Sequence, residues 1–144
     1  MKIETVTILH QPPKKLFGMK KVRFGGGLKD RESPDECSIR ETFEETRGIR
    51  IIKQERLGEI LFHFENDEPE HLVYFFRAYE FEGVPAESDE MKPEWFEEKD
   101  IPYEKMLVDD KYWLSLLLER KKFKGQFYFD RECKIKDYQF KEII

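Results

Sequence analysis

The chain has 144 residues, 39% of them hydrophobic with 13 Phe, which fits one domain with a real core. Charged residues make up 40% and the formal net charge is -5, which argues against a general binder of polymeric nucleic acid, since such proteins are ordinarily basic. The two cysteines, Cys37 and Cys133, lie far apart without zinc-ligand spacing, no apolar run reaches the length of a membrane span, and MKIETVTILH lacks a signal-peptide core; the expected setting is a reducing cytoplasm.

In chain order, Ile3 to Leu9 alternates and is rich in β-branched residues, which predicts a strand. Gln11-Pro12-Pro13-Lys14 reads as a turn before a second strand from Leu16 to Lys20. A helix follows the glycines: Ser33 is its N-cap, Pro34 suits the first helical position, Glu36 completes a capping box, and Gly48 supplies a left-handed stop. Cys37, Ile39 or Arg40, and Phe43 are expected on its apolar side, with Cys37 a small buried residue. Ile49 to Ile52 and Glu55 to Phe64 read as strand, Asn66 to Pro69 as a turn, and His71 to Phe81 as the strongest strand, ended by Gly83-Val84-Pro85. Trp95 and Phe96 suggest a short strand, Ile101 to Met106 a helical turn, and Asp110 to Arg120 a second helix with Leu114, Leu117 and Leu118 inward. Gly125 to Asp130 and Asp137 to Ile143 complete the pattern as a closing pair of strands. This mixture predicts one α/β domain, residues 1–144, a sandwich built around a mixed sheet.

The chemistry concentrates on the first helix. Glu41, Glu44 and Glu45 stand at i, i+3 and i+4 and so share one face, where like charges repel unless a cation sits among them. Hard carboxylate oxygens with room for water and phosphate suit magnesium, with manganese as an alternative. The plainer meaning of such a run is a solvated acidic face. The full spacing speaks against that: Gly26, five residues, Glu32, seven residues, Arg40-Glu41, two residues, Glu44-Glu45. In this array the chain resembles the Nudix hydrolases. It departs from the family after the last carboxylate, where Thr46 and Arg47 both precede Gly48 and the family has one residue; the exit of the helix is expected to change more than the metal site.

The resemblance extends over nearly the whole chain. Gly18-Met19-Lys20-Lys21, Glu87 to Met91, Trp95-Phe96, Ile101-Pro102, Met106, Asp109-Asp110, Tyr112-Trp113, Leu116 to Leu118 and Lys121 to Phe123 look like the MutT-related Nudix enzymes that act on oxidised purine nucleoside triphosphates. The resemblance implies an α/β/α fold and magnesium-dependent hydrolysis of a nucleoside triphosphate to monophosphate and pyrophosphate. It implies metal binding by Glu41, Glu44 and Glu45, bracing of the helix by Arg40 with Glu32, and a further carboxylate, Glu90, from a loop. Glu45 is the first choice for metal ligation and Glu44 for proton handling, although spacing alone does not separate them. Gly26 and Gly27 let the backbone approach metal and phosphates closely.

By the same resemblance Asp109 and Asp110 read the purine edge, and Thr5 and Lys20 line that pocket. The alternatives are helix capping for the two aspartates and a solvated cation cluster, Lys14, Lys15, Lys20, Lys21 and Arg23, for Lys20. Two departures bear on the base. The loop before Phe24 is shorter and lacks a base-contacting Asn, and Leu107 stands where the relatives have a pocket Trp; Phe24, Phe62 and Phe64 are read first as core. His10, His63 and His71 are scattered and carry no ligand pattern. The partner is therefore a small nucleotide, the chain a monomer or small homo-oligomer without a membrane attachment. The competing functions are a Nudix hydrolase of another diphosphate-linked substrate and a catalytically weak nucleotide-binding module.

Overall fold

The computed structural model describes residues 1–11, 16–18, 23–86, 94–101 and 109–143. Its elements are β1 (Lys2–Leu9), β2 (Leu16–Gly18), β3 (Phe24–Gly27), α1 (Pro34–Thr46), β4 (Arg50–Phe64), β5 (His71–Glu82), β6 (Glu94–Phe96), a 3-10 turn (Glu98–Asp100), α2 (Asp110–Leu118), β7 (Lys122–Phe129) and β8 (Ile135–Ile143). Six strands form a mixed sheet in the order β3-β1-β5-β4-β7-β8, and β2 pairs with β6 in a separate two-stranded sheet. The β1–β5 and β4–β7 pairs are parallel; β1–β3, β4–β5 and β7–β8 are antiparallel.

Residues alternate across a strand, so β1 shows how the layers are arranged. Thr5 and Thr7 touch Cys37 and Ser38 of α1, while Val6 and Ile8 belong to the core cluster containing Trp113, Leu114 and Leu117 of α2. The two helices therefore cover opposite faces, giving the expected α/β/α sandwich. Because both faces are covered, β1 is buried continuously from Thr5 to Leu9. On the α2 side the core is aromatic: Trp113 lies 4.5 Å from Phe75, and Phe75, Phe123 and Phe127 are fully enclosed. Phe24 and Phe62 are buried and Phe64 packs on the same cluster as Phe62, in keeping with their reading as core.

Several local expectations need correction. The strand expected in two pieces is one, β4, whose register shifts near Lys53 and Gln54 mark bulges. The second helix ends at Leu118, short of Arg120, which takes a left-handed backbone. The expected turn at Ile101 to Met106 falls, after Ile101, outside the described residues, as do Pro12 to Lys14 and Lys20.

The buried side of α1 is not apolar. Cys37, Ser38, Thr42 and Thr46 are its buried residues, whereas Ile39 and Phe43 are 36% and 44% exposed. Small side chains bring the helix close to the strands, and hydroxyls join the layers: Ser38 donates to Gln54 Oε1 at 2.7 Å and stands 2.6 Å from Thr7 Oγ1. At the helix exit the left-handed residue is Arg47, with φ 56°, and not Gly48. Gly48 is needed for a different reason, since a Cβ there would lie 2.0 Å from the Val84 carbonyl oxygen. Thr46 closes the turn by donating its hydroxyl to Thr42 O and accepting from the Ile49 amide. Up to this exit α1 is regular from Pro34 to Thr46, so its carboxylates stay in helical register.

Candidate active site

The capping box fixes where α1 begins: Ser33 Oγ accepts from the Glu36 amide and Glu36 Oε1 from the Ser33 amide, each at 3.1 Å. With the start fixed, Arg40, Glu41 and Glu45 reach the glycine strand β3. Arg40 is the hub. Its Nε and Nη2 grip the Glu32 carboxylate at 2.7 and 2.9 Å, Nη2 also donates to Gly27 O at 3.0 Å, and Nη1 reaches Glu41 at 2.8 Å and Glu44 at 3.2 Å. A guanidinium fork matches a carboxylate in this way, whereas an ammonium would not.

The electrostatic consequence is reciprocal. The Arg40 guanidinium holds the Glu32 carboxyl down at about 2, assisted by the Lys29 amide and opposed by burial. Glu32 in turn raises the Arg40 pKa. Burial pushes the Cys37 thiol up, which makes it an inert packing group. Arg40 supplies part of the cation that the three glutamates call for. Four carboxylates against one guanidinium still leave three formal negative charges at this end of the molecule.

The glutamates are not equivalent. Glu45 Oε1 accepts from the Gly25 amide at 3.1 Å, and Glu41 lies against Gly26, where a Cβ would meet its carboxylate at 2.7 to 2.9 Å. Gly26 is therefore a cradle for a carboxylate. Glu44 is the outward member, its side chain 51% exposed. This hard-oxygen set, excess negative and backed by a glycine strand, fits a divalent cation that keeps part of its water shell. Among the described residues no three Asp, Glu, His or Cys groups are drawn into a ready-made metal cage. Glu90 lies outside the described residues.

Asp109 and Asp110 sit at the start of α2, 5% and 1% exposed. Asp109 makes no side-chain cap bond; its Oδ2 accepts instead from Trp113 Nε1 at 3.2 Å. Asp110 is ion-paired with Arg23, whose guanidinium lies 5.7 Å from the Trp113 ring centroid. Thr5 is not brought to this pair: its hydroxyl stands 3.4 Å from Cys37 Sγ, beneath α1 on the other side of the sheet. Lys20 and Leu107 lie outside the described residues. Arg23 is the residue that sequence reasoning passed over, grouping it with solvated lysines, because nothing local to it announces Asp110 or Trp113.

The histidines have partners within the fold. His10 Nδ1 accepts from Arg77 Nε at 3.0 Å, His63 stacks on Tyr128 at 4.4 Å, and His71 Nδ1 is 2.5 Å from Glu4. Among the described residues no helix is long and apolar enough to cross a membrane.

Comparison with known proteins identifies the family. The NUDIX domain model matches residues 6–117. The chain is similar to the oxidized purine nucleoside triphosphate hydrolases of Danio rerio, at 35% identity, and Mus musculus, at 34%, in each case over 99% of this chain and 96% of the relative. Its fold is similar to the crystal structure of a MutT protein from Bacillus halodurans, with a TM-score of 0.84, 23% identity and 97% of each chain covered. With the Arg40 hub and its glutamates seated on the glycine strand, and with these matches, the chain belongs to the Nudix hydrolase family.

Proposed function

We propose that the whole chain acts as one cytoplasmic catalytic domain, a magnesium-dependent nucleoside triphosphate pyrophosphohydrolase that releases monophosphate and pyrophosphate from purine and oxidised purine nucleotides. The observation that carries this is the Arg40-centred array of Glu32, Glu41, Glu44 and Glu45 docked on Gly25 and Gly26. The relatives' activity, by name oxidized purine nucleoside triphosphate hydrolysis, supports the substrate class.

Glu41, Glu44, Glu45 and the Gly26 carbonyl would hold the metal, with Glu90 as a further carboxylate. When bound, a divalent ion offsets phosphate charge and lowers the pKa of water. The protein's own contribution is positioning. Arg40 holds Glu41 from one side and the glycine strand holds it from the other, while the Gly25 amide orients Glu45. Glu44, outward on the same face, takes the proton from the attacking water. Water oxygen bonds to phosphorus, the phosphoanhydride P–O bond breaks in line, and pyrophosphate leaves. Since Arg40 is engaged with Glu32, Glu41 and Glu44, it acts as a positioning residue. Manganese serves the same hard-oxygen set as magnesium.

The test is a panel of nucleoside triphosphates with magnesium, following monophosphate and pyrophosphate, with Glu45→Gln alongside. Activity on at least one purine triphosphate, lost in Glu45→Gln and abolished by chelation, is expected. Release of monophosphate from none of them overturns the reading.

A further inference from the structure

The two edges of the sheet differ in kind. β3 ends it beside the carboxylate array, whereas β8 ends it with a nine-residue strand on whose outer side, among the described residues, nothing pairs. An edge strand offers a row of unpaired N–H and C=O groups, which proteins commonly guard with lysines or other charges. β8 carries Lys136 and Lys141 but also Asp137 and Glu142, so its charges sum to zero and do not repel a second copy. Its surface is not wholly polar either, since Tyr138 and Ile143 are 46% and 43% exposed. Within one chain the charges of β8 are poorly matched. Lys141 stands opposite Lys124 of β7, a like-charge pair that weakens the ladder, while Lys124 itself turns to Glu59 at 3.2 Å. Among the described residues neither Lys141 nor Asp137 has an ion-pair partner; Asp137 Oδ1 accepts from the Tyr138 amide.

We propose that β8 is the interface of a homodimer, in which two copies pair antiparallel about a two-fold axis at Gln139 and join their sheets into one. The order of residues in β8 carries this. Counted outward from Gln139, Tyr138 answers Phe140, Asp137 answers Lys141, and Lys136 answers Glu142. An isologous contact sets such residues directly opposite one another, each pair occurring twice. The two copies then match glutamine with glutamine, aromatic with aromatic and carboxylate with ammonium, the kinds of cross-strand pair that stabilise a sheet. The match is particular to this register. Moving the axis one residue either way sets Lys136 against Phe140 or Asp137 against Ile143, and the complement is lost. The strand is also shaped for it, because its pairing with β7 is regular from Asp137 to Ile143 and shifts only before that. Each unpaired Lys141 gains the Asp137 of the second copy. Since β8 and β3 lie at opposite edges, the contact leaves both carboxylate arrays open.

A contact made by one strand from each copy is smaller than a standard interface, so the expected dissociation constant is on the order of 100 µM. The experiment is sedimentation velocity of the full chain from about 5 to about 500 µM at low salt. The parent, Asp137→Lys, Lys141→Glu and the double variant are compared, with melting temperature at the lowest concentration as the check on folding. The parent is expected to pass from monomer to dimer across this range. Each single variant sets like charges opposite one another twice and is expected to weaken association roughly 10- to 30-fold. The double variant exchanges the two charges and is expected to return to the parent's behaviour. An equimolar mixture of the two single variants is expected to associate more tightly than either alone, because every charged pair between them is then of opposite sign. A parent that stays monomeric throughout overturns the proposal, as does association that both single variants leave unchanged. A double variant and a mixture no tighter than the single variants overturn it too.

Discussion

Replacing Glu32 by Gln removes the charge from the best-made ion pair in the site while keeping the size of the side chain. Arg40 retains Glu41, Glu44 and the Gly27 carbonyl, so no guanidinium is stranded. A carboxyl held at about 2 in place of 4.5 corresponds to roughly 3 kcal/mol at neutral pH for a fully shielded group. The pair lies near the surface, with side-chain exposures of 20% for Arg40 and 11% for Glu32. Solvent screening reduces the expected loss to about 1 to 2 kcal/mol. The sign follows from the depressed pKa: Glu32 contributes its full stability above about pH 4.5 and loses it as pH falls toward 2. Urea unfolding of parent and Glu32→Gln at a series of pH values isolates this one group, because all other carboxyls titrate in both. The two curves should stand about 1 to 2 kcal/mol apart at pH 7 and converge below pH 4.5. A gap that persists unchanged to pH 2, or no gap at pH 7, refutes the account of Arg40 as an electrostatic hub.

Two further outcomes are expected. In Gly26→Ala the new Cβ displaces the end of a flexible Glu41 side chain, 2.7 Å away, so the melting temperature should move little while kcat falls roughly 10- to 100-fold; parallel loss of both would mean that Gly26 serves folding and not the site. Arg47→Gly relieves a left-handed arginine at φ 56° and should raise stability by about 0.5 to 1 kcal/mol in chemical denaturation, with kcat unchanged. An unchanged or lower midpoint would count against strain at that exit.

What the sequence made legible was local or patterned. The capping box of Ser33 and Glu36 involves residues three apart, and the Glu41, Glu44, Glu45 face follows from helical spacing; both appear as expected. The strands of the mixed sheet were readable from alternation and punctuation. The parallel pairing of β1 with β5 was not, because no short-range signal records a partner some seventy residues away. The inner side of α1 was misjudged since Ile39 and Phe43 look like core residues, while Ser38 and Thr42 become interior groups only once the sheet arrives with Thr7 and Gln54. Gly48 invited a conformational reading that belongs to Arg47, its own constraint being a carbonyl from Val84. Arg23 was overlooked for the same physical reason, its partners Asp110 and Trp113 being distant in the chain.

The position of β1 has a consequence for how the enzyme comes into being. This first strand lies between β3 and β5, and among the described residues its partner made earlier is the four-residue β3. Its long pairing runs from Lys2–His71 to Leu9–Ala78, so it waits until that second strand has been synthesised. Closing so long a loop is entropically slow, and the nascent N-terminal segment stays without its main partner meanwhile. The glycine strand and α1 dock on β1, so the proposed site rests on a strand whose longer pairing closes across some seventy residues.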